Sequence, residues 1–301
     1  MTRIGFIGVG TMGLPMAKNL VSKGFAVTAY DLNPEAVRAA AAAGMAAAAS
    51  AAEAVAGADL VVTMLPSSPQ VDAAYTGDGG VLAAARKGTL CVDMSTIDPA
   101  VSRRIATAAA ERSIRFIDAP VSGGTPRATD GTLAIMVGAA VEDFQAALPA
   151  LQAMGANVIH VGPVGSGEVA KLCNNLIAGV AAVAVSEAFR IAEGFGVDLK
   201  VVTEVISKSS GNTWLMEHMH PVPGLVARAA STNGYAPGFM TDLMCKDVGL
   251  AVDAARALRI PLFVAPAAQQ VYRLASSHGL GRKDFTSVFT FLKPSSDQAP
   301  V

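Results

Sequence analysis

The chain is 301 residues long, enough for about two domains, and a composition of 52% hydrophobic and 16% charged residues allows each a substantial core. A formal net charge of -1 leaves no basic surface for nucleic acid, and the arginine pair Arg103-Arg104 falls in a helical stretch. Cys91, Cys173 and Cys245 are odd in number and far apart, and His160, His218, His220 and His278 share no ligand spacing, so neither a disulfide framework nor a metal site is expected.

From the N-terminus, an apolar run over residues 4–7 leads into Gly8-Val9-Gly10-Thr11-Met12-Gly13, and a second run over residues 26–30 ends at Asp31. This is the layout of a dinucleotide site. Gly8 permits a tight strand-to-helix turn, Gly10 lets backbone approach a pyrophosphate, and Gly13 lets a helix starting near Thr11 pack close to the strand. The N–H groups at that helix start, Thr11 and Met12 among them, suit the phosphates. Asp31 sits where a carboxylate takes both ribose hydroxyls. It would repel a 2′-phosphate, and neither Leu32 nor Asn33 supplies an arginine to receive one, so NAD is favoured over NADP.

Further apolar runs at residues 60–64, 90–94, 114–117, 134–137 and 158–161 read as strands, with helices between them. Ser50 with Glu53 forms a capping box, and Asn33-Pro34 and Asp98-Pro99 read as caps followed by proline in the first turn. The alanine-rich stretch 39–52 reads as packed helix and turn. Such alternation predicts an α/β fold with an N-terminal, doubly wound parallel sheet of the Rossmann kind over residues 1–162. Strand signals stop near Gly162, and residues 168–195 carry apolar side chains on nearly every face, as a wholly buried helix does. Residues 163–301 are therefore expected to form an all-α domain for substrate and for oligomerisation. The longest uncharged helical run, residues 172–186, contains Asn174 and Asn175 and is too short to span a bilayer, so no membrane is expected. The first strand starts by residue 4, from which a cytoplasmic location is expected.

Three constellations offer chemistry. Asp118-Ala-Pro-Val-Ser122-Gly123-Gly124 lies at the end of a predicted strand, where the glycine N–H groups and the Ser122 hydroxyl either cradle a substrate carboxylate or form an ordinary turn. In the run from Gly165 to Asn175, Lys171 and Asn175 share one face of a helix. A lysine in an apolar helix is costly unless paired or functional; beside a cofactor motif, the functional reading is preferred. Finally, Lys246-Asp247 sits in another apolar run, where Lys246 reaches cofactor or carboxylate and Asp247 orients a lysine, or the two form a structural ion pair.

Taken in order, Gly8-x-Gly10-x-x-Gly13, Asp118-Ala-Pro-Val-Ser122-Gly123-Gly124, Lys171-x-x-Asn174-Asn175 and Lys246-Asp247 resemble the β-hydroxyacid dehydrogenase family along the whole chain. Residues 209–214, 221–224 and 233–239 resemble the branch that oxidises 3-hydroxyisobutyrate to methylmalonate semialdehyde in valine breakdown. Asn212 stands where many relatives carry arginine, and His220 where asparagine is usual. The resemblance implies that Lys171 is the general base, that Ser122, Gly123 and Gly124 hold a carboxylate, and that Asn175 orients the hydroxyl or Lys171. It further implies that Trp214 and Phe239 wall a methyl pocket, that Leu65, Pro66, Gln70 and Thr96 line the cofactor, and that Asn174 and Asp247 support the site. Relatives that reduce glyoxylate or other small semialdehydes use NADPH, which Asp31 disfavours; non-catalytic and imine-reducing relatives replace the lysine that this chain keeps. The long apolar helix also needs more cover than its domain supplies. A homodimer or homotetramer is expected, with helical domains in contact and dinucleotide domains outermost.

Overall fold

The computed structural model describes residues 2–293 and divides into two compact units that part between Lys171 and Leu172. The sequence placed the domain boundary after residue 162, at the end of the last strand; by contacts, the first turn of the following helix goes with the first unit.

That unit is a nine-stranded sheet with helices between its strands. The strands are β1 (Arg3–Ile7), β2 (Ala26–Tyr30), β3 (Ala46–Ala47), β4 (Leu60–Thr63), β5 (Leu90–Asp93), β6 (Arg115–Asp118), β7 (Val121–Ser122), β8 (Leu133–Gly138) and β9 (Gly155–Gly162). The helices are α1 (Gly13–Ser22), α2 (Pro34–Ala42), α3 (Ala51–Val55), α4 (Ser68–Thr76), α5 (Val81–Ala84), α6 (Pro99–Ala110), α7 (Gly124–Asp130) and α8 (Val141–Met154). The spatial order is β3-β2-β1-β4-β5-β6-β8-β7, with β9 on β8.

Successive residues of the central strands enter different cores. Ile4, Phe6, Leu60, Val62, Leu90 and Val92 pack on one face of the sheet, while Ile7, Val61 and Cys91 pack on the other. Both faces are covered, which is why these strands read as unbroken apolar runs rather than alternating ones. Pairing is parallel from β3 through to β6. Beyond it the expected parallel sheet becomes mixed, because β8 runs antiparallel to β6 and β7. The connection there is a seven-residue helix closed by Gly131 at φ 67°, a short reversal instead of a full crossover. β9 pairs with β8 alone among the described strands, so its eight residues form an outer edge, with Ile159 and Val161 exposed.

The caps form as expected. Asn33 accepts the Glu35 N–H, Asp98 accepts that of Ala100, Ser50 accepts that of Glu53, and Glu53 reaches back to the Ala49 N–H. The alanine-rich stretch is α2, a turn, the two-residue β3 and α3. Helix α1 begins at Gly13, two residues later than expected.

The second unit is helical, built on α9 (Ser166–Gly194) with α10 (Leu199–Ser207), α11 (Trp214–His218), α12 (Thr241–Ala257), α13 (Val264–Ala275) and α14 (Val288–Phe291). Helix α9 has 29 residues and is about 44 Å long. Its length and mean hydropathy of 1.6 satisfy the dimensions of a membrane span, yet Lys171, Asn175 and Ser186 are buried along it, as befits a core helix. A Cβ on Gly179 would lie 2.8 Å from Val248, so α12 crosses α9 at close range, and the Tyr272 hydroxyl of α13 donates to the Gly179 carbonyl at 2.8 Å. Contrary to a wholly buried helix, α9 leaves one stripe open. Cys173, Ile177, Ala184, Ala188 and Ile191 are exposed, as is Phe195 just past the helix end, and α10 has no buried residue at all.

Candidate dinucleotide and catalytic site

The strand order reverses at β1, which has β2 on one side and β4 on the other, so a crevice opens at the carboxyl ends of β1 and β4. The glycine loop stands there. Gly8 has φ +93°, and a Cβ on it would sit 2.3 Å from the Met64 carbonyl oxygen; a Cβ on Gly13 would sit 1.9 Å from that of Gly8. A Cβ on Gly10 would meet nothing within 4 Å. The loop is thus pinned at both ends by backbone, that of Met64 at Gly8 and that of Gly8 at Gly13, and open in the middle, the space a pyrophosphate needs. Asp31 directly follows β2, its Oδ1 accepting the Asn33 N–H at 2.8 Å, and the neighbouring Leu32 is largely in solvent. These residues fit NAD.

The loops after β4 and β5, expected to line the cofactor, are held by a buried cluster that sequence reasoning missed. Asp93, at the end of β5, accepts the hydroxyls of Thr63 (2.7 Å) and Ser95 (2.6 Å). With its proton on Asp93, Thr63 accepts the Tyr75 hydroxyl at 3.0 Å. Ser95 Oγ in turn accepts the Leu65 N–H at 2.9 Å, which fixes the Leu65-Pro66 turn beside Thr96. Gln70, in the first turn of α4, accepts the Ser67 hydroxyl.

At the end of β6, Asp118 is fully buried. It accepts the backbone N–H of Gly165 at 2.6 Å and of Glu168 at 2.9 Å, and burial pushes its carboxyl up to about 6 against the pull of those bonds. Ser122 follows on β7, then Gly123 and Gly124 with φ of 137° and 64°. A Cβ on Gly123 would lie 2.6 Å from the Arg127 side chain, so this turn requires glycine twice over. Lys171 ends the unit on α9, with 4% of its surface exposed.

In the second unit, Asn175, Asn174, Lys246 and Asp247 form one cluster. Asn174 Nδ2 donates to Asn175 Oδ1 at 2.9 Å, Asn175 Nδ2 donates to Asp247 Oδ2 at 2.5 Å, and Lys246 Nζ lies 3.1 Å from Asp247 Oδ1. Asn175 and Asp247 are buried. Phe239 meets Phe285 edge-on, and its N–H donates to Asp284 at 3.1 Å. Asp284 also takes the Gly238 and Thr286 N–H groups and the Thr286 hydroxyl, and burial raises its pKa. Trp214 opens α11, largely exposed and stacked on His218. Asn212 donates to Glu217 at 2.8 Å. His220 is a core residue, buried edge-on against Phe189 with its Nδ1 accepting the Val222 N–H; burial holds its pKa down to about 4.

Comparison with known proteins covers both units. Residues 3–162 match the family described as the NAD binding domain of 6-phosphogluconate dehydrogenase, and residues 165–292 the family described as NAD-binding of NADP-dependent 3-hydroxyisobutyrate dehydrogenase. The chain is 42% identical to mitochondrial 3-hydroxyisobutyrate dehydrogenase of Bos taurus, over 97% of this chain and 87% of that protein. It is 43% identical to an NAD-dependent L-serine dehydrogenase of Pseudomonas aeruginosa, over 99% of this chain and all of the other. A solved structure of Mycobacterium tuberculosis 3-hydroxyisobutyrate dehydrogenase with L-serine is similar at a TM-score of 0.93 and 41% identity, covering 98% of this chain and 100% of that one.

Proposed function

The chain belongs to the β-hydroxyacid dehydrogenase family, as an NAD-dependent dehydrogenase of the 3-hydroxyisobutyrate type, and on that premise we propose that it oxidises 3-hydroxyisobutyrate, or a closely related small 3-hydroxy acid, to the semialdehyde. The observation that carries this reading is Lys171, a charged side chain buried with 4% of its surface exposed near the start of α9, a position a lysine keeps only with a task or a partner. Bound NAD supplies the hydride acceptor. Lys171 removes the hydroxyl proton, which frees the oxygen electron pair to form the carbonyl, and returns that proton in the reverse direction. Ser122 and the N–H groups of Gly123 and Gly124 hold the carboxylate. Asn175, its amide fixed by Asn174 and Asp247, orients the hydroxyl or Lys171. Trp214 and Phe239 wall the methyl group, and Lys246 reaches the cofactor or the carboxylate.

A second substrate has support from the L-serine dehydrogenase relative. L-Serine shares the hydroxymethyl and carboxylate groups and differs in bearing an ammonium where 3-hydroxyisobutyrate bears a methyl. Initial rates with both compounds and with NAD⁺ and NADP⁺ decide between them. Highest kcat/KM for 3-hydroxyisobutyrate with NAD⁺ is expected; a preference for L-serine overturns the substrate assignment. The same reading makes the partner of the open α9 stripe a second copy of this chain, in a homodimer or homotetramer built on two-fold axes.

A further inference from the structure

We infer that Asp118 is a positioning residue for Lys171, capping the lysine's helix from a strand end far away in the chain; this rests on the reading of Lys171 as the base. Helix α9 begins at Ser166, so Gly165 occupies its N-cap and Glu168 its third position. In an ordinary capping box the N-cap side chain accepts the third residue's N–H, and the third residue's side chain accepts the N-cap N–H. Gly165 has no side chain to give: its φ is +90°, and a Cβ there would lie 2.7 Å from Arg103 Nε. Asp118 performs both halves alone, one oxygen on the Gly165 N–H and the other on that of Glu168. Glu168, released from its usual task, stays buried and accepts the Ile97 N–H at 3.1 Å, next to Thr96 on the loop after β5.

The fold makes room for this arrangement at two further glycines. A Cβ on Gly138 would lie 2.4 Å from Asp118 Oδ1, and one on Gly167 2.9 Å from Asp118 Oδ2. The carboxylate is boxed between β8 and the first turn of α9, where its charge also complements the positive end of the helix dipole. Lys171 stands one turn beyond Glu168, so the rotation and depth of that first turn set where its amine sits. The residue that fixes the turn also starts the segment ending in Ser122, Gly123 and Gly124. Base and carboxylate cradle thus share one anchor.

The test is single-turnover oxidation of 3-hydroxyisobutyrate by full-length enzyme in excess and saturated with NAD⁺, read as NADH absorbance. Asp118→Asn keeps the size but leaves one acceptor oxygen for two N–H groups. Its single-turnover rate should fall about 10- to 100-fold, the scale set by small misplacements of a catalytic group, with amplitude unchanged and the Kd for NAD⁺ within about twofold. Asp118→Ala should be slower still, so that asparagine gives partial rescue. Gly138→Ala, which crowds the carboxylate without removing it, should behave like Asp118→Asn and carries the test if that variant does not fold. A fall in rate matched by an equal fall in the folded fraction, read by circular dichroism, means a loss of folded enzyme only and overturns the proposal, as does a wild-type rate. Lys171→Ala in the same series separates the two claims. If it retains the wild-type rate, the general-base reading falls and the positioning role with it; if it is inactive while the Asp118 and Gly138 variants are normal, only the positioning role falls.

Discussion

In the proposed reaction, Lys171 is the residue on which the chemistry turns. Replacing it with alanine should lower kcat at least about a hundredfold while leaving NAD⁺ affinity nearly intact, since a general base contributes about 10² to 10⁴; steady-state rates and cofactor titration check this. His220 gives a pH signature of a different kind. The unfolded chain binds a proton there near the ordinary 6.5, whereas the folded chain holds the ring neutral down to about 4. Between those values unfolding takes up a proton, so the stability this ring contributes is intact above pH 6.5 and is lost as pH falls, by about 3 kcal/mol in all. Asp118, its pKa raised, works in the opposite direction by favouring the fold as it protonates. The comparison that isolates His220 is therefore with His220→Asn: from pH 7 to 4.5 in urea titrations, wild type should lose about 2 kcal/mol more than the variant. The unusual placement of Lys171 was legible because a charged residue stands in a largely apolar helical run, and the structure buries it. Asp93, Asp118 and Glu168 were not. An aspartate at a strand end looks like any turn residue until chain 47 and 50 residues away folds onto it, as it does for Asp118.

At the scale of elements, the glycine loop and the central strands were readable because each obeys one dominant constraint: burial on both faces for the strands, backbone crowding for Gly8 and Gly13. The two-residue strands β3 and β7 carry no periodicity to read, and the antiparallel turn into β8 depends on Gly131 and a short helix whose sequence resembles any loop. The crowding at Gly13 makes a direct prediction. Gly13→Ala must push α1 away from β1 to relieve a 1.9 Å contact, so it should cost about 2 kcal/mol or more in stability and weaken NAD⁺ binding at least about tenfold. Thermal melts and cofactor titration measure both effects. A variant that binds NAD⁺ as wild type does would mean that the loop is not the pyrophosphate site.

For the whole molecule, the open stripe on α9 and the exposed α10 face predict association. Light scattering should give a multiple of the 30.5 kDa chain at micromolar concentration, and Ile177→Asp with Ile191→Asp should shift the mass toward the monomer and reduce solubility. A stable, active monomer would contradict the assembly. The outer edge of β9 has a further consequence, for what happens when the protein fails. Its sequence, Gly-Ala-Asn-Val-Ile-His-Val-Gly, carries no proline, no lysine and no acidic residue, the devices by which sheet edges usually refuse new partners. Native packing keeps one side of that strand occupied by β8, but partial unfolding presents a flat apolar template for strand-by-strand addition. Heating should therefore end in irreversible, thioflavin-positive aggregates, and Val161→Lys should delay them without changing kcat. Long-term storage of this enzyme would then be limited by one uncharged edge strand that ends nine residues before Lys171.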